Sequence, residues 1–108
     1  MPKKSVYIAG PITNVEQYWR AFEEADNQLT AQGCAVISPA RLPLGLSNAQ
    51  YARINMATID AVDAALFLPG WQFSRGAELE FKYCAYIEKP VFFSIEKLIK
   101  GVETWTES

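Results

Sequence analysis

The stretch Leu68-Pro-Gly-Trp-Gln-Phe-Ser-Arg-Gly-Ala-Glu-Leu-Glu80 joins a predicted strand to a predicted helix. The apolar run 64–68 predicts a buried strand, which the Pro-Gly pair ends. Ser74 can cap a helix that begins at Arg75, and Glu80 lies at the edge of the apolar face of that helix. An unpaired carboxylate beside an apolar face is costly. Two interpretations of Glu80 therefore stay open, a salt bridge to a nearby Arg or Lys and a functional role.

Outward from this stretch, apolar strands alternate with helices. The predicted strands are Ser5–Ala9, Ala35–Ile37, Ala64–Leu68 and Val91–Ile95. Helices are predicted from the capping boxes Thr13-Asn-Val-Glu16 and Ser47-Asn-Ala-Gln50 and from Arg75, ending near Gly33, Ala61 and Ile87; the tail from Glu96 has a short helical pattern. Apolar strands separated by helices indicate an α/β fold of three layers, a parallel sheet of about four strands with helices on both faces.

The strand order that we expect is 2-1-3-4, which is flavodoxin-like. This order makes the gap between the first and third strands the topological switch point, where open α/β sheets bind ligands at the carboxyl ends of their strands. Two glycine-containing turns follow these strands, residues 10–13 and residues 70–74. The sequence therefore predicts that both turns lie over one crevice.

Composition excludes several classes of function. The 108 residues fit one domain, 1–108, and the net charge of -2 argues against a nucleic-acid arm or a membrane-surface patch. No apolar run approaches the roughly 20 residues of a membrane span, and a cytoplasmic location is expected. The chain has no histidine, which removes Ser-His-Asp and Cys-His catalysis and His-ligated zinc. Cys34 and Cys84 form no metal motif, so no metal is expected; an organic cofactor is not expected either.

Several other residues could serve a site, and each also has a structural interpretation. Ser74, with the backbone amides of Arg75 and Gly76, could bind a phosphate at the helix start, or Ser74 could be an ordinary cap. Tyr7 could hold a carboxylate or be a core residue. Trp71 could stack on a flat ring or anchor the surface. Asp63 is expected to help end the second helix.

Two motifs, Tyr7-Ile-Ala-Gly-Pro-Ile12 and Ser74-x-Gly-x-x-x-Glu80, together resemble the nucleoside 2-deoxyribosyltransferase-like superfamily. The run Asp-x-x-x-x-Leu-Pro-Gly-Trp at 63–71 is similar to that of its small phage and bacterial domains. The resemblance extends from Ser5 to about Phe93. It implies retaining glycosidic chemistry, in which a glutamate attacks the anomeric carbon of a nucleoside and displaces the base. By this resemblance the nucleophile is Glu80, its orienting tyrosine is Tyr7, and the turn that lines the sugar site is Gly10, Pro11 and Ile12.

The sequence departs from the family pattern at two positions. Transferases of the family usually carry an aspartate at the position of Ser74, and the branch that hydrolyses nucleoside 5'-monophosphates has a serine there that binds phosphate. The family also commonly has an aspartate near the sugar where this chain has Asn55, which can hydrogen-bond but cannot act as a base. These departures favour hydrolysis, or binding without turnover, over base exchange.

The leading interpretation is an N-glycosidase for a nucleoside or a nucleoside 5'-monophosphate, with Trp71 or Phe73 stacked on the base. A second enzyme interpretation comes from Pro69-Gly-Trp followed by Gly-Ala-x-x-Glu, which resembles the motif of phosphoribohydrolases that release cytokinin bases. A third is a domain that binds or senses nucleotides without cleaving them. A homo-oligomer, a dimer or larger, is also expected, because family members complete their sites with residues of a neighbour and the chain has three tryptophans to bury.

Overall fold

The computed structural model describes residues 3–11 and 15–106. The strands are β1 (Ser5–Ala9), β2 (Ala35–Ile37), β3 (Ala64–Phe67) and β4 (Val91–Phe92). The α-helices are α1 (Val15–Ala31), α2 (Asn48–Ala61), α3 (Arg75–Tyr86) and α4 (Ile95–Thr106), and short 3-10 helices cover Pro39–Arg41 and Trp71–Phe73. The four strands form a parallel sheet in the order β2-β1-β3-β4, which confirms the predicted fold class and strand order.

The alternation of side chains along the strands builds two cores, one on each face of the sheet. One core packs Val6 and Ile8 of β1 against α1 and against Leu98 of α4. The other packs Tyr7 of β1 against α2 and α3, including the fully buried Cys84. Tyr7 pairs with residues of both β2 and β3, so it lies in the middle of the sheet. The layer of α2 and α3 is therefore the one that faces Tyr7.

Two predicted helix starts are confirmed. Ser47 and Gln50 form a capping box at the start of α2, with the Gln50 N–H donating to Ser47 Oγ and the Ser47 N–H donating to Gln50 Oε1. At α3, the Ala77 N–H donates to Ser74 Oγ over 3.3 Å. The other capping box, at 13–16, lies outside the residues whose side chains the structure describes.

The last strand and the tail differ from the prediction. β4 ends at Phe92, not at Ile95, because Ser94 caps a helix: its Oγ accepts from the Lys97 N–H and its carbonyl accepts from the Leu98 N–H. α4 then continues to Thr106 and is longer than the short helical pattern predicts. Leu98 is fully buried, so this helix contributes to the core against α1 and β4.

Asp63, which was expected to help end the second helix, follows the C-cap residue of α2, Val62. The Asp63 carboxylate accepts hydrogen bonds from the Ser5 backbone N–H, over 2.8 Å, and from Ser5 Oγ, over 3.1 Å. These bonds, chiefly the one from the Ser5 backbone N–H, lower the pKa of Asp63. Asp63 therefore joins the amino ends of β1 and β3, at the edge of the sheet opposite to the predicted crevice.

We expect Asp63→Ala to lower the free energy of unfolding at pH 7 by about 1 kcal/mol, at the low end for bonds to a charged group because the side chain is exposed. The folded-state pKa is lowered, so this stabilisation is present above the unfolded pKa of about 3.9 and is lost as the pH falls through the folded-state value. Urea unfolding at pH 7 and pH 3 checks this. An equal difference between variant and wild type at both pH values would contradict it.

Candidate active site

Glu80 lies inside the layer of helices, not on its surface. It is 7% exposed, and the Tyr7 hydroxyl donates a hydrogen bond to Glu80 Oε1 over 3.0 Å. Tyr7 itself is 1% exposed, because β1 is a central strand and α2 and α3 cover its side chain. The parallel sheet thus brings together two residues that are 73 positions apart in the sequence.

The second oxygen of Glu80 also has a donor. Asn55 of α2 is 7% exposed, and its Nδ2 donates to Glu80 Oε2 over 3.2 Å. The salt-bridge interpretation of Glu80 is not supported, since the ion pairs among the described residues join other carboxylates, Asp26, Glu78 and Glu96, to their cations. Each oxygen of the buried carboxylate therefore accepts a hydrogen bond from one neutral donor, Tyr7 of β1 for one oxygen and Asn55 of α2 for the other.

The surroundings of Glu80 shift its ionisation to neutral pH. Burial raises the pKa of Glu80 to about 7, and the hydrogen bonds from Tyr7 and Asn55 act in the opposite direction. Burial, followed by the nearby Glu80 charge, raises the pKa of Tyr7 well above its ordinary value, so Tyr7 remains a phenol that can donate. Burial also raises the pKa of Cys84 to about 11, which keeps this neighbour a neutral thiol. Glu80 is thus the group of this cluster that changes charge near pH 7.

The two glycine-containing turns meet, as predicted. A Cβ built on Gly70, which has a φ of +88°, would lie 3.4 Å from Pro11 Cγ. Gly10 is buried, and a Cβ there would lie 3.1 Å from Leu68 Cβ, so packing at the end of β3 favours glycine at this position. Ile12, the third predicted residue of this turn, lies outside the described residues.

The start of α3 presents backbone amides at the same end of the sheet. Ser74 Oγ accepts from the Ala77 N–H, and the Ser74 carbonyl accepts the first backbone bond of the helix, from Glu78. The amides of Arg75 and Gly76 precede that bond. Both residues are exposed, and a Cβ on Gly76 would meet nothing within 4 Å. The side-chain direction of Gly76 is therefore open, and backbone amides at a helix start are groups that can bind an anion.

The two aromatic residues predicted to stack on a base, Trp71 and Phe73, differ in their surroundings. Trp71 stacks on Phe81, with ring centroids 4.6 Å apart, and on Phe93, 5.8 Å apart. Its edge-to-face contact with Phe67, at 5.4 Å, completes a cluster of four rings. Since the Phe81 and Phe93 centroids are only 6.1 Å apart, these two rings cannot lie on opposite faces of the indole. Trp71 thus packs on aromatic rings of its own domain, and its stacking on a base stays a prediction.

The aromatic cluster borders an open groove of about 450 Å³. Its described lining comprises residues of the β3–α3 connection, with Phe67 and Phe93 beside them, and does not include Tyr7, Asn55 or Glu80. The other candidate for stacking, Phe73, is 87% exposed. Sequence reasoning did not include Phe81 and Phe93 in the site. Their only signal was that apolar residues recur near Trp71, which does not distinguish a groove from a core.

The described residues also bear on membranes and metals. None of the helices in 3–11 and 15–106 is long and apolar enough to cross a membrane. Within the same residues no group of three or more His, Cys, Asp and Glu side chains could hold a metal ion.

Solved structures share this architecture. One is described as 2-desoxiribosyltransferase from Leishmania mexicana; it is 18% identical, with a TM-score of 0.67 over 82% of this chain and 61% of that one. Another is a 2-deoxyribosyltransferase from the psychrotolerant bacterium Bacillus psychrosaccharolyticus, which is 22% identical, with a TM-score of 0.67 over 81% of this chain and 69% of that one. The chain has the fold of the 2-deoxyribosyltransferases, which confirms the resemblance at the level of fold, and it spans about three fifths of the length of the Leishmania protein.

A family model described as "Domain of unknown function (DUF4406)" matches residues 4–93, and the chain belongs to this family. The matched residues include all four strands and α1 to α3. No curated protein matches the chain.

Proposed function

We propose that this protein cleaves the N-glycosidic bond of a nucleoside or a nucleoside 5'-monophosphate, with Glu80 as the nucleophile. The observation that carries the proposal is the buried Glu80 carboxylate, with one neutral donor on each oxygen and a pKa of about 7. A buried carboxylate in such a setting, near the carboxyl ends of the central strands, is typical of a functional site. Tyr7 and Asn55 orient the carboxylate and leave its charge in place. An ion pair with Arg or Lys would neutralise that charge.

The reaction proceeds in two displacements at the anomeric carbon. A Glu80 oxygen forms a bond to C1' while the bond from C1' to the base nitrogen breaks, and the base leaves with that electron pair. A water molecule then attacks C1', the bond to Glu80 breaks, and the carboxylate is restored as the water proton passes to solvent or to the departing base. With a second base as the acceptor in place of water, the same intermediate gives a new nucleoside.

Two observations favour different acceptors of the sugar, water and a second base. The backbone amides of the exposed residues Arg75 and Gly76, with Ser74 as the cap, suit a 5'-phosphate and therefore favour the hydrolysis of monophosphates. The fold, in contrast, is shared with two proteins described as deoxyribosyltransferases. We favour hydrolysis, because Asn55 and Ser74 provide no acid to handle a base.

Chromatography of released base tests the proposal directly. The protein is incubated with ribonucleosides, deoxyribonucleosides and their 5'-monophosphates, with and without a second free base. Free base from a monophosphate supports a nucleotide N-glycosidase, and a new nucleoside formed only with added base would make the protein a transferase. Adenine nucleotides substituted at N6 test the phosphoribohydrolase alternative. Tight binding with no base released from any substrate would overturn the enzymatic proposal and support a nucleotide-binding domain.

Tyr7→Phe is expected to move the pH dependence of activity to higher pH. The nucleophile must be ionised, so kcat/KM should rise with pH to a plateau, with a midpoint near the Glu80 pKa of about 7. The Tyr7 hydrogen bond lowers that pKa. Its loss should therefore raise the midpoint by about one pH unit, the equivalent of one hydrogen bond to a charged group.

Tyr83→Phe is the matched control for this substitution. Tyr83 is also on α3 and also donates to a carboxylate, but its partner is Asp60 and the bond is exposed. We expect Tyr83→Phe to leave the midpoint unchanged. If both variants kept the wild-type pH profile, the proposed role of Tyr7 would be wrong.

A further inference from the structure

Two side-chain hydrogen bonds join α2 to α3 within the described residues, and they differ in position. Asn55 Nδ2 donates to Glu80 Oε2 in a buried setting, whereas the Tyr83 hydroxyl donates to Asp60 Oδ1 in an exposed one. The exposed bond only connects the helices. The buried bond ends on the residue to which we assign the chemistry, so Asn55 is placed to affect the charge of Glu80 as well as the packing of α2.

The polarity of the Asn55 amide is fixed by its partner. An ionised carboxylate can only accept hydrogen bonds, so the Nδ2 end of the amide must face Glu80 when Glu80 is the anion. An aspartate at position 55 would have no proton to offer in its ionised form. Two carboxylates at this distance would share one proton, which raises the higher of the two pKa values with which the pair titrates. An amide of nearly the same shape supplies a donor and no charge.

The other groups that face Glu80 do not replace this donor. From β1 there is Tyr7, whose hydroxyl donates to the other oxygen of the carboxylate, Glu80 Oε1. From α3 itself there is the Cys84 thiol, which interacts electrostatically with Glu80. From α2 the contact is Asn55. Lys89, which follows α3, interacts electrostatically with Cys84 and is not among the ion-pair partners of Glu80 in the described residues.

We propose that Asn55 is a positioning residue that holds Glu80 as the anion needed for attack, through a donor that a carboxylate at position 55 could not supply. The use of the Glu80 anion as a nucleophile rests on the proposed function. The hydrogen bond by which Asn55 stabilises this anion does not depend on that function. It assigns Asn55 a role toward the nucleophile, in addition to the predicted contact with a sugar. The same hydrogen bond also fixes which way the carboxylate plane faces.

Carbon-13 NMR of the labelled glutamate carboxyl groups tests the proposal without any substrate. The Glu80 signal is identified by its absence from Glu80→Gln, and it is titrated in wild type, Asn55→Asp, Asn55→Ala and Tyr83→Phe. We expect the pKa of Glu80 to rise by about one pH unit or more in Asn55→Asp, because a like charge is added, and to rise by less in Asn55→Ala. Tyr83→Phe removes the other α2–α3 bond and should leave the pKa unchanged.

Asn55→Ala covers the case in which Asn55→Asp fails to fold. An unchanged Glu80 pKa in a folded Asn55 variant would overturn the inference. With substrate, the midpoint of kcat/KM should move to higher pH in parallel with the NMR value, whereas an equal loss of activity at every pH would indicate a purely structural role and would also overturn it. If wild type releases no base but the NMR pKa responds to Asn55, the proposed function fails and the assignment of Asn55 as the donor that keeps Glu80 charged stands.

Discussion

Glu80→Gln is expected to reduce base release by about 10³-fold or more, because removal of a covalent nucleophile eliminates the reaction path and not merely a contact. An amide oxygen or nitrogen cannot form the glycosyl ester. The neutral side chain also cannot stabilise the positive charge that develops on the sugar. The measurement is base release under single-turnover conditions at about pH 8, where wild-type Glu80 is mostly ionised because its pKa is about 7.

The variant should keep the fold, which makes the result interpretable. Glutamine has the shape of glutamate, and its Oε1 can still accept from Tyr7. A rotation of the Asn55 amide by about 180° turns its oxygen toward the new Nε2 donor and restores the second bond. Glu78→Gln is the matched control, since Glu78 lies on the same helix but is exposed and paired with Lys82. Base release by Glu80→Gln within tenfold of wild type, with the control unchanged, would exclude Glu80 as the nucleophile.

Local sequence pattern was sufficient for most of the fold. The strands β1, β2 and β3 and the helix α3 follow from apolar runs and from turn residues, because each of these signals lies within the element that it predicts. The carboxylate of Glu80 was identified in the same way, from its place at the edge of an apolar face. For its partner Tyr7, the sequence left a contact with a carboxylate and a core position open, and only the family resemblance paired it with Glu80.

Long-range contacts explain what the sequence did not show. The bond between Asn55 and Glu80 joins residues 25 positions apart and depends on how α2 lies against α3. Asn55 was therefore assigned to substrate and not to the nucleophile. The Trp71 ring packs against Phe81 and Phe93, and the last of these belongs to a segment that was expected to be strand. Neither contact could be predicted from the sequence, for one physical reason: periodicity reports which side chains are buried but not which ones meet.

Glu80→Gln is also expected to stabilise the protein above pH 7. The free energy of unfolding of the variant minus that of wild type should be about 3 kcal/mol higher there than near pH 4. Burial raises the Glu80 pKa from 4.5 to about 7, so the folded state holds a proton that the unfolded chain releases between these values. The stability that the protonated Glu80 contributes to the wild-type protein is fully present below about pH 4.5 and is lost as the pH rises to about 7. A difference of one pH unit between the folded and unfolded pKa values corresponds to about 1.4 kcal/mol of stability, and glutamine has no such titration.

Urea unfolding of wild type and variant at several pH values from about 4 to about 8 measures this effect, with Glu78→Gln as the exposed control. The difference in the free energy of unfolding between Glu80→Gln and wild type should grow between pH 4.5 and about 7 and then stay constant. A difference that does not depend on pH would show that Glu80 ionises in the folded protein as it does in the unfolded chain. Stabilisation of Glu80→Gln together with the loss of base release would show that one buried charge both destabilises the fold at neutral pH and performs the chemistry. A site selected for reactivity holds an ionisable group where stability alone would place a neutral one.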